Sequence, residues 1–288
     1  MKINKKIEKS WLNFISNQQN QGHLQRSILN NNLELHINAC RTSAKNTVLR
    51  ISEDLPEFRP KKIIEVGSST GLNCFALAEY YTQSEVIGIE PEKVAVMAAK
   101  SMLQDRDRSR ISFEVGIGEK LPFDNNTVDL IVCHTVIEHV ENVEEVISEM
   151  ARVLRKNGKI HLDAPNYIFP YEPHLRIFTL PKLGKKFVAL SAYFQGKGKY
   201  TPFLKHLQFV TPAYLENLFV INGLSFQNRA VGKLKSSLTN INGIKKYRKI
   251  AICLQLLNKI GLGNAAIFLI ALLRLYPSLM YTASLKRQ

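Results

Sequence analysis

Between Lys61 and Pro165 the chain alternates short runs of β-branched and aliphatic residues with longer stretches of helical period. KIIEVG is followed by a helix-length segment from about Leu72 to Tyr81, then EVIGIE, a helix over Val94 to Leu103, and ISFEVG. VDLIVC then leads into the amphipathic VENVEEVISEMARVLRKNG, in which Asn157 and Gly158 read as a helix stop, and the strand KIHLDAP follows. Strands alternating with helices predict an α/β fold. The expected form is a Rossmann-like, doubly wound, mostly parallel sheet covered on both faces, with its ligand crevice at the carboxyl ends of the strands.

Flanking segments follow different patterns. Residues 1–60 place apolar side chains such as Leu33 and Ile37 at helical spacing and end in Pro56 and Pro60, which predicts N-terminal helices ahead of a core over 61–165. After Pro165 the periodicity is lost, and 166–210, rich in aromatics, Pro, Lys and Gly, reads as a substrate-facing insertion. Residues 211–248 read as the end of the core sheet. There Thr211 caps a helix with Pro212 at its first position, Gly223 stops it, and LSFQNRAV is a strand. Residues 249–288 read as a C-terminal helical appendage, apolar and flanked by basic residues. Lys259 and Arg274 leave 14 uncharged residues between them, where a spanning helix needs about 20, so the tail is not expected to cross a bilayer. A seventh strand finds no clear place.

Composition narrows the function classes. With 288 residues and 45% hydrophobic content the chain has material for a large core, which excludes disordered and fibrous classes. Four scattered cysteines exclude a disulfide scaffold, and no uninterrupted apolar run follows the basic N-terminus. A cytoplasmic location is expected. The net charge of +15 is unevenly placed: residues 1–160 carry 21 Lys+Arg against 21 Asp+Glu, and residues 161–288 carry 18 against 3. Such a basic block suits a polyanion or an anionic membrane surface.

The chemistry centres on Ile63 to Gly71, a buried strand running into a glycine turn and then a helix. Gly67 and Gly71 permit close backbone approach to a ligand. The G-x-G-x-x-G pattern of NAD-binding turns is incomplete, because Ser69 stands at its middle glycine and no glycine follows at 72 or 73. Glu90 closes the second strand 19 residues past Gly71, where a carboxylate can accept hydrogen bonds from both ribose hydroxyls.

With EVGSSTG at 65–71, VIGIEPEK at 86–93 and the run from Gly116 to Asn166, the chain resembles the class I S-adenosylmethionine-dependent methyltransferases that act on small molecules. The resemblance implies S-adenosylmethionine as cofactor. It also implies that Glu65, Gly67, Ser69 and Gly71 hold the methionine part, Glu90 the ribose, and Ile117, Gly118 and Glu119 the adenine edge, with His134 and Thr135 closing over the methionine end. Two departures stand out. An acidic residue common before the small one at the adenine edge is here Ile117. Quinone-type O-methyltransferases carry an E-x-x-E-H run that contributes metal ligands, but Thr135 replaces its first acid, so no metal is expected at Glu138 and His139.

A hydroxyl acceptor must be aligned with the methyl and lose a proton, a task suited to histidine. His139 and His174 are the catalytic candidates, against the alternatives of a backbone-bonded and an ordinary loop histidine. Tyr167, Tyr171, Glu172 and His206 are candidates for acceptor binding. PNYIFPYEPHLRI and PFLKHLQFVTPAYLENLF more loosely resemble methyltransferases of bacterial surface polysaccharide and glycolipid assembly. That implies O-methylation of a sugar or lipid-linked glycan, peripheral at the inner membrane face. Lys245, Lys246, Arg248 and Lys249 would then form a basic clamp before an interfacial tail, with packing on the sheet or homodimerisation as the tail's alternative roles. Polyketide- or quinone-type acceptors, an NAD enzyme and a non-catalytic membrane-recruited adaptor remain open. Nucleic acid is disfavoured: strand four ends in CHTVIEH rather than a Pro-rich base-flipping run.

Overall fold

The computed structural model describes residues 3–20, 32–105, 107–180, 183–239 and 248–286. Two helices, α1 (Lys5–Asn20) and α2 (Leu33–Asp54), precede the sheet. The alternating region forms β1 (Lys62–Val66), α3 (Leu72–Tyr80), β2 (Glu85–Glu90), α4 (Lys93–Ser101), β3 (Ile111–Val115), β4 (Val128–His134), α5 (Val143–Val153) and β5 (Leu154–Pro165). A small hairpin of β6 (Tyr171–Glu172) and β7 (Ile177–Phe178) follows, then α6 (Gly184–Phe194) and a 3-10 helix over Gly198–His206. The chain closes with α7 (Pro212–Ile221), β8 (Leu224–Asn228), α8 (Ala230–Ser236), α9 (Arg248–Lys259), α10 (Gly263–Leu272) and β9 (Ser278–Leu285).

The seven-stranded sheet runs β3-β2-β1-β4-β5-β9-β8, with β9 antiparallel to both neighbours and β1 to β5 mutually parallel. The order reverses between β1 and β4, so the crevice lies at their carboxyl ends. Period-2 alternation fills both faces. Ile64, Val66, Ile131, Cys133 and Leu162 face α5 and α7, while Ile63, Val86, Leu130 and Val132 face α2 and α3. Ile7, Trp11, Phe14 and Ile15 recur at helical spacing along α1 and pack on Ala95, Ala98 and Met102. Thr211 caps α7 through a hydrogen bond to Tyr214 N, with Pro212 first in the helix as expected.

Three expectations are corrected. The tail over 249–288 is not all helical, and the core sheet does not end by 248: β9 lies between β5 and β8, with Leu279, Tyr281 and Ala283 directed into the core. Asn157 and Gly158 do not stop α5. The helix ends at Val153 because Leu154, wholly buried, pairs with Val128, and Asn157 with φ 67° sits in the irregular part of β5. In LSFQNRAV the strand ends at Asn228, whose side chain accepts from Ala230 N as α8 begins. Among the described residues no helix is long and apolar enough to cross a membrane. Lys245 and Lys246 lie outside the described residues, as do the side chains of Arg248 and Lys249.

Candidate active site

The turn after β1 is built by left-handed backbone at Gly67 (φ 69°), Ser69 (φ 49°) and Gly71 (φ 74°). Gly67 N and Ser68 N both donate to Ile89 O, at 2.8 and 3.0 Å, which ties the turn to β2. A Cβ on Gly67 would stand 2.4 Å from Val136 Cγ2, so the loop after β4 closes directly over the glycine. Glu65 lies beneath, buried, and accepts hydrogen bonds from Asn73 Nδ2 (2.7 Å) and Cys74 Sγ (3.0 Å) of α3. Burial raises its carboxyl to about 7, against the lowering effect of those two bonds. Asn73 and Cys74 had no sequence signal, because their role appears only when α3 folds back over β1.

Glu90 ends β2 with one oxygen accepting from Ser69 N (2.8 Å) and the other from Glu92 N (3.0 Å). Burial raises its pKa. Glu92 in turn accepts from Asn17 and Gln18, so the end of α1 borders this corner. Ile117 is half exposed, Gly118 packs against Val66 and Val146, and Glu119 accepts from Glu141 N and Asn142 N at 2.9 and 3.3 Å. Glu119 therefore braces the chain entering α5.

His134 is turned away from the turn. Its Nε2 meets His161 Nδ1 at 2.7 Å, and His161 Nε2 meets Asp54 Oδ2 at 3.0 Å. Burial holds His134 well below its ordinary pKa, assisted by the neighbouring His161. Burial pushes Asp54 up, but hydrogen bonds from His161 and Lys233 outweigh it and hold that carboxyl well below the usual range. Arg229 Nε, 3.1 Å away, completes a buried polar chain linking β4, β5, α2 and α8. Thr135, exposed, adopts φ 53°, a strained value for a β-branched residue, where the loop leaves β4.

The loop carries Glu138, fully buried, and His139, which lies in a turn rather than at a helix start. Gln208 fastens this loop: its N donates to Glu138 O (2.7 Å) and its Nε2 to Val140 O and Glu141 O (3.2 Å each). The clamp brings in the inserted segment. His174 Nδ1 lies 2.6 Å from Glu172 Oε1, and buried Glu172 also accepts from His174 N and Leu175 N. His139 Nε2 and His174 Nε2 lie 3.9 and 4.0 Å from Glu138 Oε1, with the imidazoles 5.0 Å apart and perpendicular. Phe203 packs beside both rings. The structure thus brings together His139, His174 and Glu172, adding Glu138. Tyr167 stacks on Phe209 at 4.3 Å, and the carboxylates of Glu138 and Glu172 lie close enough to add to the rise that burial causes in its pKa. Tyr171 packs edge-on to Phe178, and His206 is exposed at the end of its 3-10 helix.

A doubly wound sheet with a glycine turn on β1, an acid closing β2 and a polar cluster over β4 defines a nucleoside-cofactor enzyme scaffold. Residues 64–162 match the family described as a methyltransferase domain, about a third of the chain. The chain is 29% identical over 118 residues to the uncharacterized methyltransferase YcgJ of Bacillus subtilis, covering 41% of this chain and 45% of that protein. It is 32% identical over 108 residues to ajmaline N-methyltransferase of Rauvolfia serpentina, covering 37% of each. The chain spans less than half the length of these relatives. In fold it is similar to phosphoethanolamine N-methyltransferase 2 of Haemonchus contortus in complex with S-adenosyl-L-methionine, with TM-score 0.51, 13% identity, and 84% of this chain and 53% of that one covered. The [4+2]-cyclase SpnF gives TM-score 0.51 and 15% identity over 85% of this chain and 81% of its own. Residues 64–162 match a methyltransferase domain and adopt the fold of the class I methyltransferases, the enzymes whose cofactor is S-adenosylmethionine. The residues present suit it: a backbone cradle at Gly67 to Gly71, the Glu90 carboxylate with lone pairs to spare beyond two backbone donors, and the apolar surface of Ile117 at the adjoining edge.

Proposed function

We propose that the chain is an S-adenosylmethionine-dependent methyltransferase acting on a hydroxyl of a sugar or lipid-linked glycan at the inner membrane face. One observation carries the methyl-transfer reading: Val136 packs over Gly67, and Glu138 and His139 follow within one turn of chain, so an acceptor-handling cluster is built next to the cofactor turn. Glu65 and the Gly67–Gly71 turn hold the methionine end, Glu90 the ribose, and Ile117 and Gly118 the adenine. S-adenosylmethionine supplies an activated methyl whose departure leaves a neutral thioether. The protein must orient the acceptor and ease loss of its proton, and His139 and His174 are placed for that work. Tyr167, Tyr171 and Glu172 border the acceptor space.

The membrane side of the proposal rests on two features. Ile252 and Leu256 on α9, Ile260 just beyond it, and Phe268, Leu269 and Leu272 on α10 with Leu273 at its end form outward apolar stripes. The only three acids of residues 161–288 are Asp163, Glu172 and Glu216, and each is engaged, with Arg50, His174 and Arg274 respectively. An exposed apolar hairpin in a segment whose charges are predominantly basic matches an anionic interface. Phe268→Ser with Leu272→Ser should abolish binding to phosphatidylglycerol vesicles; unchanged partitioning overturns the membrane assignment. Truncation near residue 248 is unsuitable, because it removes β9.

The central test is thermal unfolding with S-adenosylhomocysteine or NAD, followed by transfer assays on nucleotide-linked and lipid-linked sugars and on amines. Ligand at about 100 times its dissociation constant should add roughly 2.7 kcal/mol. A shift with S-adenosylhomocysteine alone, diminished in Glu90→Ala, is expected. No shift in a folded protein overturns the reading. The N-methyltransferase relatives favour an amine acceptor as second reading, and transfer to amines but not sugars would select it.

A further inference from the structure

We infer that Glu138, His139 and His174 form a binding site for one first-row divalent transition-metal ion. Their ligating atoms all lie within 4.8 Å of one another, with His139 Nε2 and His174 Nε2 at 3.9 and 4.0 Å from the same oxygen, Glu138 Oε1. Donors around one ion at about 2.1 Å stand roughly 3.0–3.5 Å apart, so each imidazole must close on Glu138 by about half an ångström and the widest pair of the set by up to about 1.3 Å, within reach of side-chain rotation. His139 and His174 are one-third and one-fifth exposed, which gives the ion a path to the cluster.

A second, independent feature supports the site. A metal-binding imidazole ordinarily donates its other ring nitrogen to a carboxylate, which fixes its tautomer and its aim. His174 has this arrangement: Glu172, buried and anchored by the backbone N–H groups of His174 and Leu175, takes Nδ1 at 2.6 Å and leaves Nε2 directed at Glu138. Gln208 locks the opposing loop by three hydrogen bonds. Thr135 is thus not decisive for metal binding: the third donor comes from the insertion, 35 residues beyond His139.

The donor set selects the ion. Two imidazoles and one carboxylate suit zinc, iron, cobalt, nickel or manganese, whereas calcium and magnesium require oxygen-rich shells. Three protein ligands leave coordination positions open. Building on the proposed methyl transfer, an acceptor hydroxyl in such a position would release its proton to solvent more readily than when free. Glu172 is then a positioning residue and His139 and His174 act through the ion.

The probes are Zn²⁺ by isothermal titration and Co²⁺ by visible absorption, on full-length chelator-treated protein in a Cys253→Ser background, since Cys253 is exposed. One equivalent of Zn²⁺ is expected, with at least 100-fold weakening in His174→Ala and in His139→Ala. Glu172→Gln should weaken binding by about 10- to 100-fold and alter the Co²⁺ bands. Retained response of the unfolding midpoint to S-adenosylhomocysteine shows that each variant is folded, and the two histidine variants keep the test independent of buried Glu138. No stoichiometric binding, or binding unchanged in His139→Ala/His174→Ala, overturns the site. A response to S-adenosylhomocysteine without metal binding removes the ion but not the methyltransferase; metal binding without that response does the reverse.

Discussion

Glu65 offers a quantitative test of the site's electrostatics. Its carboxyl is buried beneath the glycine turn and held at about 7, against an ordinary value of 4.5, chiefly by burial. Between those values the native protein keeps a proton that the unfolded chain has released. Stability must therefore fall as pH rises through that window and level off above about 7. The full penalty is on the order of 3 kcal/mol, and about 2 kcal/mol of it develops between pH 5 and 7.5. Glu65→Gln removes the titration while keeping an oxygen for Asn73. Any constant cost of the altered contacts cancels when the two proteins are compared across pH, and so do the histidines they share. Urea unfolding of both from pH 5 to 7.5 should show the wild type losing about 2 kcal/mol relative to the variant. In thermal unfolding the relative change is about 4–8 °C for a chain of this size. Parallel curves would refute the argument, because they would mean that Glu65 is ionised in the native state throughout.

Other outcomes follow from the same geometry. Asp54→Asn leaves Lys233, Arg229 and His161 without their shared anion and should cost about 3 kcal/mol in urea unfolding near neutrality, the gap to wild type narrowing as pH falls below about 4. Gly67→Ala combines φ 69° with a Cβ 2.4 Å from Val136 Cγ2; it should cost about 1–3 kcal/mol and suppress the S-adenosylhomocysteine response, with Val136→Ala restoring part of the stability. Thr135→Asn relieves a β-branched residue at φ 53° and should raise the unfolding free energy by about 1 kcal/mol. A chain ending at Pro277 lacks β9, which leaves β8 unpaired and opens the edge of β5 away from β4. Its calorimetric trace should show no cooperative transition, and a transition near that of the full chain would contradict the topology.

The glycine turn and the strand ends around it were legible in sequence because their determinants are local. The glycine turn, Glu65 and Glu90 sit at strand ends whose order follows from alternating patterns, and the match to known methyltransferase domains covers the same stretch. The acceptor end was only partly legible. His139 and His174 stood out as residue types, but their meeting at Glu138 depends on the insertion folding back and on Gln208 fastening it to the loop. His134, assigned from its neighbours in sequence, instead joins His161 and Asp54, because the pleat at the end of β4 sends its side chain to the α2 face.

The C-terminal segment marks the boundary between the two kinds of information. By itself the sequence determined the α/β alternation, the glycine turn after β1, the caps of α7 and the concentration of basic charge after residue 160, since each depends on side chains close along the chain. Only the tertiary structure decided that SLMYTASL is a strand. A short apolar run fits a buried helix or a buried strand equally well, and the vacant edges of β5 and β8, more than 50 residues earlier in sequence, supplied the backbone partners that settled it. The same physics placed Glu138, His139 and His174 together: contacts between segments distant in sequence are fixed by which surfaces remain to be buried once the local elements have formed.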